Sequence, residues 1–408
     1  MNNLRFIHLA NTGSTNIGNG ALILGAEHTL AEDIPGVTFA REPWDDYTFG
    51  VKKFDEQFVR MVNESADALL IGAAVSFNGQ PHQKETGTRF ELPLPLWDKI
   101  KKPIIFYGVS YRHWPFQPYH NLERFKKTMA YVLNAPHILF SVRNDGTKEW
   151  IERVIGYASK KIIVIPDPAL FVPTERAVHH ELSSDAVNIA LSLNNEDEVY
   201  RFGGAGRELF WRVASPFVPE KKLISFWRRI PWWDARRARF LKELADALEV
   251  FSQTRAVNII LCPHYFDDYT IISKFIPFCP IKFPHQNIVS TGMLRVSQTP
   301  YFYDLYAQAD VALSMRVHSM SPAIGLETPT IALTSQTRMT TFLYDAGLSD
   351  FGIDIFDARF KEKLIERLSF IDAHRDEVKV RLRDAVCRMR ERTRAFNVMV
   401  ADFIRARR

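Results

Sequence analysis

Cysteine is scarce in this 408-residue sequence: three residues, Cys262, Cys279 and Cys387, widely spaced and odd in number. With no Cys-x-x-Cys pair, neither a disulfide framework nor a thiolate zinc site is expected, and the three read as buried small hydrophobes. Long apolar runs are missing too. None approaches the ~20 residues needed to cross a bilayer. The opening Met1-Asn-Asn-Leu-Arg-Phe-Ile-His-Leu-Ala10 reads as a first strand, not as a signal peptide, so a cytoplasmic location is expected. His113, His264 and His318 show no His-x-x-x-His spacing, and no metal is expected. There is no Gly-Lys-Ser/Thr phosphate loop and no clean dinucleotide fingerprint. The net charge of +5 is a mild excess, and no nucleic-acid partner is expected.

What is present is an alternation of apolar runs and helical stripes. Short apolar runs cover residues 5–10, 68–74, 103–109, 137–142 and 161–165. Between them, Phe54, Phe58, Met61 and Val62, and then Leu122, Phe125, Met129 and Val132, fall at helical spacing. A helix is expected over 21–30, and Asp145 is placed to cap the one carrying Trp150, Ile151 and Val154. Continuous apolar strands separated by helices indicate a parallel sheet covered on both faces. Residues 172–185 are polar without a period and read as a linker. A second series follows, with strands at 186–193, 257–262, 310–315 and 330–333, and helices at 240–251, 301–308 and 321–326. The expected architecture is α/β: two facing doubly wound, Rossmann-like domains, residues 1–175 and 186–355, then a charged helical segment over 356–408. In such sheets ligands bind outside the carboxyl ends of the strands.

Several strand-end loops can carry chemistry. Asn11-Thr-Gly-Ser-Thr-Asn-Ile-Gly-Asn-Gly20 precedes the first helix, where Gly18 allows close backbone approach and a helix N-terminus offers N–H groups. A structural turn and a ligand cradle fit it equally. Arg143 directly follows a strand and has the planar fork that recognises phosphate or carboxylate; pairing with Asp145 or Asp167 is the alternative. The densest cluster is Met315-Arg-Val-His-Ser-Met-Ser-Pro322, with Arg316 and His318 two residues apart at a strand end. Ser321 is the expected N-cap and Pro322 the expected first-turn residue of the next helix. An anion there meets a fixed cation, a titratable imidazole and backbone donors. His264 follows another strand and is a candidate ligand contact. Between Lys221 and Phe240 stand Lys221, Lys222, Arg228, Arg229, Arg236, Arg237 and Arg239 against the single Asp234, interleaved with Phe226, Trp227, Trp232 and Trp233. That mixture suits contact with an anionic membrane surface or an anionic acceptor, and equally a solvated helix start with Trp anchors in the core.

In order along the chain, Asn16-Ile-Gly-Asn-Gly20, Ile71-Gly72 ahead of Asn78, Pro103-Ile-Ile-Phe-Tyr-Gly108, Ser141-Val-Arg143 with Thr147, Asp167-Pro168, Ala309-Asp310 with Met315-Arg-Val-His-Ser319, and Pro329-Thr-Ile-Ala-Leu333 resemble the polysaccharide pyruvyl transferase family. The resemblance implies a glycosyltransferase-B-like fold. It also implies transfer of a pyruvyl group from phosphoenolpyruvate, as co-substrate without other cofactor, onto two hydroxyls of a sugar as a cyclic ketal. The acceptor implied is a bacterial capsule, exopolysaccharide or cell-wall saccharide, or its lipid-linked precursor. The family's Arg-x-His maps onto Arg316 and His318, implying donor binding for the first and donor contact or acid/base work for the second. Ser319, Arg143, Asn194, Arg338 and His264 fall on the donor side, and Asn16, Gly18, Asn19 and Asn78 on the acceptor or cleft side. Three positions depart from the pattern. Gly72-Ala-Ala-Val-Ser76 replaces a Gly-rich run, Asn194 stands where an Arg is common, and Arg338 where a Lys is common. A nucleotide-sugar glycosyltransferase on the same plan, for which no acidic residue is clearly spaced to grip a ribose and Glu327 is the nearest candidate, and a non-catalytic assembly or membrane-surface protein are the competing readings.

Overall fold

The computed structural model describes residues 4–407 apart from 73, 116, 216, 228, 230 and 280–285, with backbone alone at 204–208, 231–233 and 286. The first sheet comprises β1 (Arg5–Ala10), β2 (Thr38–Pro43), β3 (Ala68–Gly72), β4 (Val75–Phe77), β5 (Ile104–Tyr111), β6 (Ile138–Arg143) and β7 (Ile163–Ile165). Its order is β2-β1-β3-β5-β6-β7, with β4 paired to the end of β5. The second comprises β8 (Val187–Ser192), β9 (Val257–Leu261), β10 (Gln286–Ser290), β11 (Val311–Ser314), β12 (Thr330–Thr334) and β13 (Gly352–Asp354), in the order β10-β9-β8-β11-β12-β13. Every strand pair is parallel. The inner strands β3, β5, β6, β9, β11 and β12 are buried along their whole length, because helices cover both faces.

Strand order reverses between β1 and β3 in one sheet and between β8 and β11 in the other, and these reversals are where doubly wound sheets open a crevice. The first helix, Ile17–Asp33, begins four residues earlier than its apolar stripe indicates. Asn16 caps it, accepting from the Gly18 amide at 3.0 Å.

Both domains press on the same 3₁₀ turn, Pro168–Phe171. A Cβ at Gly25 would lie 1.9 Å from the Pro168 carbonyl oxygen, and one at Gly325 would lie 1.7 Å from that of Leu170. The C-terminal helix Arg375–Arg405 then crosses back to the N-terminal domain. Arg390 and Asn397 each reach Asp33 at 2.8 Å, and the Tyr107 hydroxyl donates to Asn397 Oδ1 at 2.8 Å. Phe396, Val400, Ala401 and Ile404 complete an apolar cluster that also holds Leu4, Phe6 and Leu70 from one domain and Phe302, Ala312 and Ala323 from the other.

Candidate active site

The carboxyl ends of the two sheets face each other across a cavity of about 300 Å³. Its N-terminal wall is rich in amides and hydroxyls: Asn11, Ser14, Asn16, Asn19, Thr48 and Asn78, with Asp45 and Arg89. The opposite wall carries Asn194, Glu196, Tyr265, Arg316, His318, Gln336 and Arg338, and Arg112 reaches over from the end of β5.

Arg316, two residues past the end of β11, is extended (φ −124°, ψ 148°) and is itself the N-cap residue of the helix Val317–Gly325. The expected start at Ser321 is thereby corrected, and Pro322 lies inside the helix. A proline there cannot donate to the carbonyl of residue 318. The Tyr303 hydroxyl does so instead, at 2.6 Å, so the helix continues and His318 sits in its first turn.

The Arg316 guanidinium grips Asp268 at two points, Nε to Oδ2 at 3.2 Å and Nη2 to Oδ1 at 2.5 Å, and donates from Nη1 to Glu196 Oε2 at 2.8 Å. Asp268 is fixed in turn by the backbone amides of His264 and Tyr265, at 2.9 and 3.0 Å. Burial opposes the charge on Arg316, but Asp268 and Glu196 outweigh it and hold the group protonated. Glu196 also receives Arg112. Burial alone would raise the Glu196 carboxyl, yet Arg112 and Arg316 hold it well below the ordinary carboxylate range. Three of the five N–H groups of Arg316 are used, leaving two for a ligand.

His318 Nε2 lies 2.6 Å from Arg143 Nη1. A guanidinium only donates, so Nε2 accepts and the neutral ring carries its proton on Nδ1. Burial, and then Arg143, Arg338, His264 and Arg316, push its pKa well below the ordinary histidine value. Gly18 permits this placement: a Cβ there would come within 2.6 Å of His318 Cβ. Behind the imidazole, wholly buried Arg143 donates to Asp167 Oδ2 at 3.1 Å and to the Ser110 hydroxyl. Ser110 also accepts from Arg338 Nη2 at 3.1 Å. Arg338 binds Asp145 Oδ2 through Nε and Nη2, at 2.9 and 2.7 Å. That bond joins the domains and explains a second correction. Asp145 does not cap the helix Thr147–Ile155, whose N-cap is Gly146 at φ 86°.

The remaining candidates separate by depth. Asn16, Asn19, Asn78, Asn194 and Arg338 line the cavity with Arg316 and His318. Arg143 stands behind His318, away from the cavity wall. Ser319 is buried and closes its own turn, Oγ to the Arg316 carbonyl at 3.0 Å. His264 is buried, with Nε2 2.8 Å from the Tyr306 hydroxyl. Asn194 Oδ1 accepts from the Glu196 amide at 2.8 Å, shaping the turn that presents that carboxylate. Glu327 lies outside the cavity, bonded to Arg383.

Arg89, Arg112 and Glu196 are cavity residues that the sequence reading does not single out. Arg112 shares the strand-end position that marks Arg143 and Arg316. Arg89 lies in an irregular segment and carries no such signal. It reaches Asn11 Oδ1 at 2.9 Å and stacks over Trp44, 4.9 Å from the ring centre.

In the basic aromatic stretch, Arg228 and the side chains of Trp232 and Trp233 lie outside the described residues. Trp227 and Phe240 belong to the core, and buried Arg237 pairs with Asp234 and with Glu198. Phe226, Lys221, Lys222 and Arg229 face solvent. No helix among the described residues is long and apolar enough to cross a membrane.

Comparison with solved structures finds the same two-domain plan at very low identity. Trehalose-6-phosphate synthase OtsA aligns over 98% of both chains with a TM-score of 0.53 and 8% identity. The UDP-forming α,α-trehalose-phosphate synthase of Burkholderia xenovorans aligns over 99% of this chain and 100% of its own (TM-score 0.50, 11% identity). The UDP-GlcNAc 2-epimerase of Methanocaldococcus jannaschii aligns over 90% of this chain and 91% of its own (TM-score 0.50, 10% identity). These are glycosyltransferase-B-fold proteins, and at such identities the likeness establishes that fold alone. No curated protein matches the chain in sequence. A family profile described as polysaccharide pyruvyl transferase matches residues 16–337, from the Asn16 cap through Arg316 and His318 to the start of the helix bearing Arg338. The chain belongs to the polysaccharide pyruvyl transferase family.

Proposed function

We propose that the chain transfers a pyruvyl group from phosphoenolpyruvate to two hydroxyls of a saccharide, a bacterial surface glycan or its lipid-linked precursor, closing a cyclic ketal and releasing phosphate. The observation that carries this reading is a half-buried His318 bonded to Arg143, with Arg316 and Arg338 nearby, facing a wall of amides and hydroxyls across one cavity.

The two walls suit the two substrates. Phosphoenolpyruvate bears a carboxylate and a phosphate, and the cationic wall offers the spare donors of Arg316 with Arg112 and Arg338. Arg112, supplied by the other domain, provides a cation beside Asn194, where the first strand of the C-terminal domain offers none. Asn11, Asn16, Asn19, Asn78 and Thr48 present the neutral donors and acceptors that match sugar hydroxyls. In the free protein Glu196 takes one N–H from each of Arg112 and Arg316, so a bound donor shares both guanidiniums with it.

The chemistry needs a proton at the donor's methylene carbon. A bound anion raises the pKa of His318, reversing the effect of the surrounding arginines; protonation at Nε2 breaks its bond from Arg143, and the resulting imidazolium delivers a proton to that carbon. One sugar hydroxyl adds to the oxocarbenium-like carbon. The second then displaces phosphate, whose charge the arginines stabilise as the bond breaks. Of the two hydroxyl protons, one restores His318 and the other leaves on phosphate. The test is release of inorganic phosphate from phosphoenolpyruvate in the presence of a saccharide acceptor. Full activity in Arg316→Ala or His318→Ala protein would contradict the roles given.

A further inference from the structure

A second cavity of about 350 Å³ adjoins the first, and the two share Arg112, Gln336 and Arg338. Its other walls include Trp114, Tyr200, Phe356, Arg201 and Arg236. The volume suits a small ligand. The Trp114 and Tyr200 rings are nearly parallel, with centres 6.4 Å apart, and Arg236 lies 4.0 Å from the Phe356 ring centre.

Arg201, on the helix Glu198–Phe202, is the feature that demands a ligand. It is 3% exposed. Nη1 donates to the Ser335 hydroxyl, and Nε and Nη2 donate to the Glu196 carbonyl at 3.3 and 3.1 Å. Those partners are neutral. Among the described residues no carboxylate comes within ion-pairing distance of it, whereas Arg112, Arg316 and Arg338 each hold one. Burial, then the neighbouring Arg316, bring its pKa down to about 10. Asp197, Glu196 and Asp268 act on it only from beyond ion-pairing distance, and a buried cation without a direct partner is costly to keep unless an anion arrives to meet it. Two of its N–H groups remain for that anion. The aromatic walls add flat apolar surface of the kind that packs against a sugar ring.

We propose that this second lobe holds the phosphate or diphosphate of a glycosyl-phosphate acceptor, with Arg201 and Arg236 on the anion and Trp114 and Tyr200 beside the sugar. The hydroxyls to be ketalised then project past Arg112 into the first cavity. The inference rests on the pyruvyl-transfer reading and specifies its acceptor as a phosphorylated saccharide. A lipid-linked and a nucleotide-linked sugar diphosphate share this chemistry.

The experiment is calorimetric titration of the full chain with inorganic pyrophosphate, alone and with phosphoenolpyruvate bound. Wild type is compared with Arg201→Gln and Arg236→Gln, after thermal unfolding shows each variant folded. Pyrophosphate is expected to bind at least tenfold more weakly to Arg201→Gln, with phosphoenolpyruvate affinity changed less than twofold. Should Arg201→Gln not fold, Arg236→Gln at its half-buried position gives the same comparison. A polyprenyl-diphosphate saccharide and a nucleoside-diphosphate sugar, titrated separately, distinguish the sources, and Arg201-dependent binding of either supports the proposal. Failure of pyrophosphate to bind, unchanged affinity in both variants, or displacement of pyrophosphate by phosphoenolpyruvate would overturn it. Absence of phosphoenolpyruvate binding with Arg201-dependent pyrophosphate binding intact would instead refute the pyruvyl-transfer reading.

Discussion

At His318, burial and the nearby arginines act in one direction, holding the imidazole neutral. The unfolded chain has an ordinary histidine pKa of about 6.5, so below that pH the unfolded state gains a proton that the folded state refuses. Stability therefore falls as pH drops below about 6.5. His264, also shifted down by burial and by Arg316, adds to the effect. Melting temperature measured from pH 7.5 to 5 should decline for the wild type and decline less for His318→Gln. Arg143 acts through His318, and it also compensates the fully buried Asp167. Arg143→Gln strands that carboxylate, and a loss of about 3–5 kcal/mol is expected in denaturant titration. A loss within experimental error would mean that Asp167 is neutral in the folded protein.

Among the elements, two helices meet at Gly18 and His318, and their contact positions the imidazole. Gly18→Ala places a methyl 2.6 Å from His318 Cβ, and a displacement of about 1 Å can cost roughly 10²-fold in rate. Such a loss in phosphate release, with little change in melting temperature, would show that the contact serves the site. Tyr303→Phe leaves the His318 carbonyl without its donor, and about 1–3 kcal/mol of destabilisation is expected. The same packing explains what could be read from sequence. Inner strands such as β5 and β11 are buried on both faces and read as apolar runs. The strands at 38–43, 286–290 and 352–354 all lie at sheet edges and escaped that pattern. Arg316 and His318 were legible because they follow a buried strand directly. Glu196 and Arg89 owe their places to the approach of distant segments, which spacing does not encode. The helix start at Ser321 was misplaced because the Tyr303 hydroxyl, fifteen residues from His318, lets Pro322 sit inside the helix.

On the scale of the molecule, the two sheets are held at a fixed separation by Gly25 and Gly325 against one turn and by the returning C-terminal helix. Removing residues 390–408 strips Phe396, Val400 and Ile404 from the shared cluster. Burial of three such side chains contributes roughly 5–9 kcal/mol, so the truncated chain should lose cooperative unfolding and become protease-sensitive between the domains. A lipid-linked acceptor would bring the protein to a membrane. Leu209, Val213, Phe217 and Phe226 are exposed, and Lys221 and Lys222 lie between the last two along the chain. Flotation with phosphatidylglycerol vesicles but not with neutral ones is the expected outcome, weakened by Phe217→Ser with Phe226→Ser. The central claim is tested most directly by titrating phosphoenolpyruvate into the wild-type and Arg316→Ala proteins. Saturable binding that weakens at least tenfold in Arg316→Ala is predicted. Absence of binding to the wild type, with a nucleotide sugar bound in its place, would contradict the account.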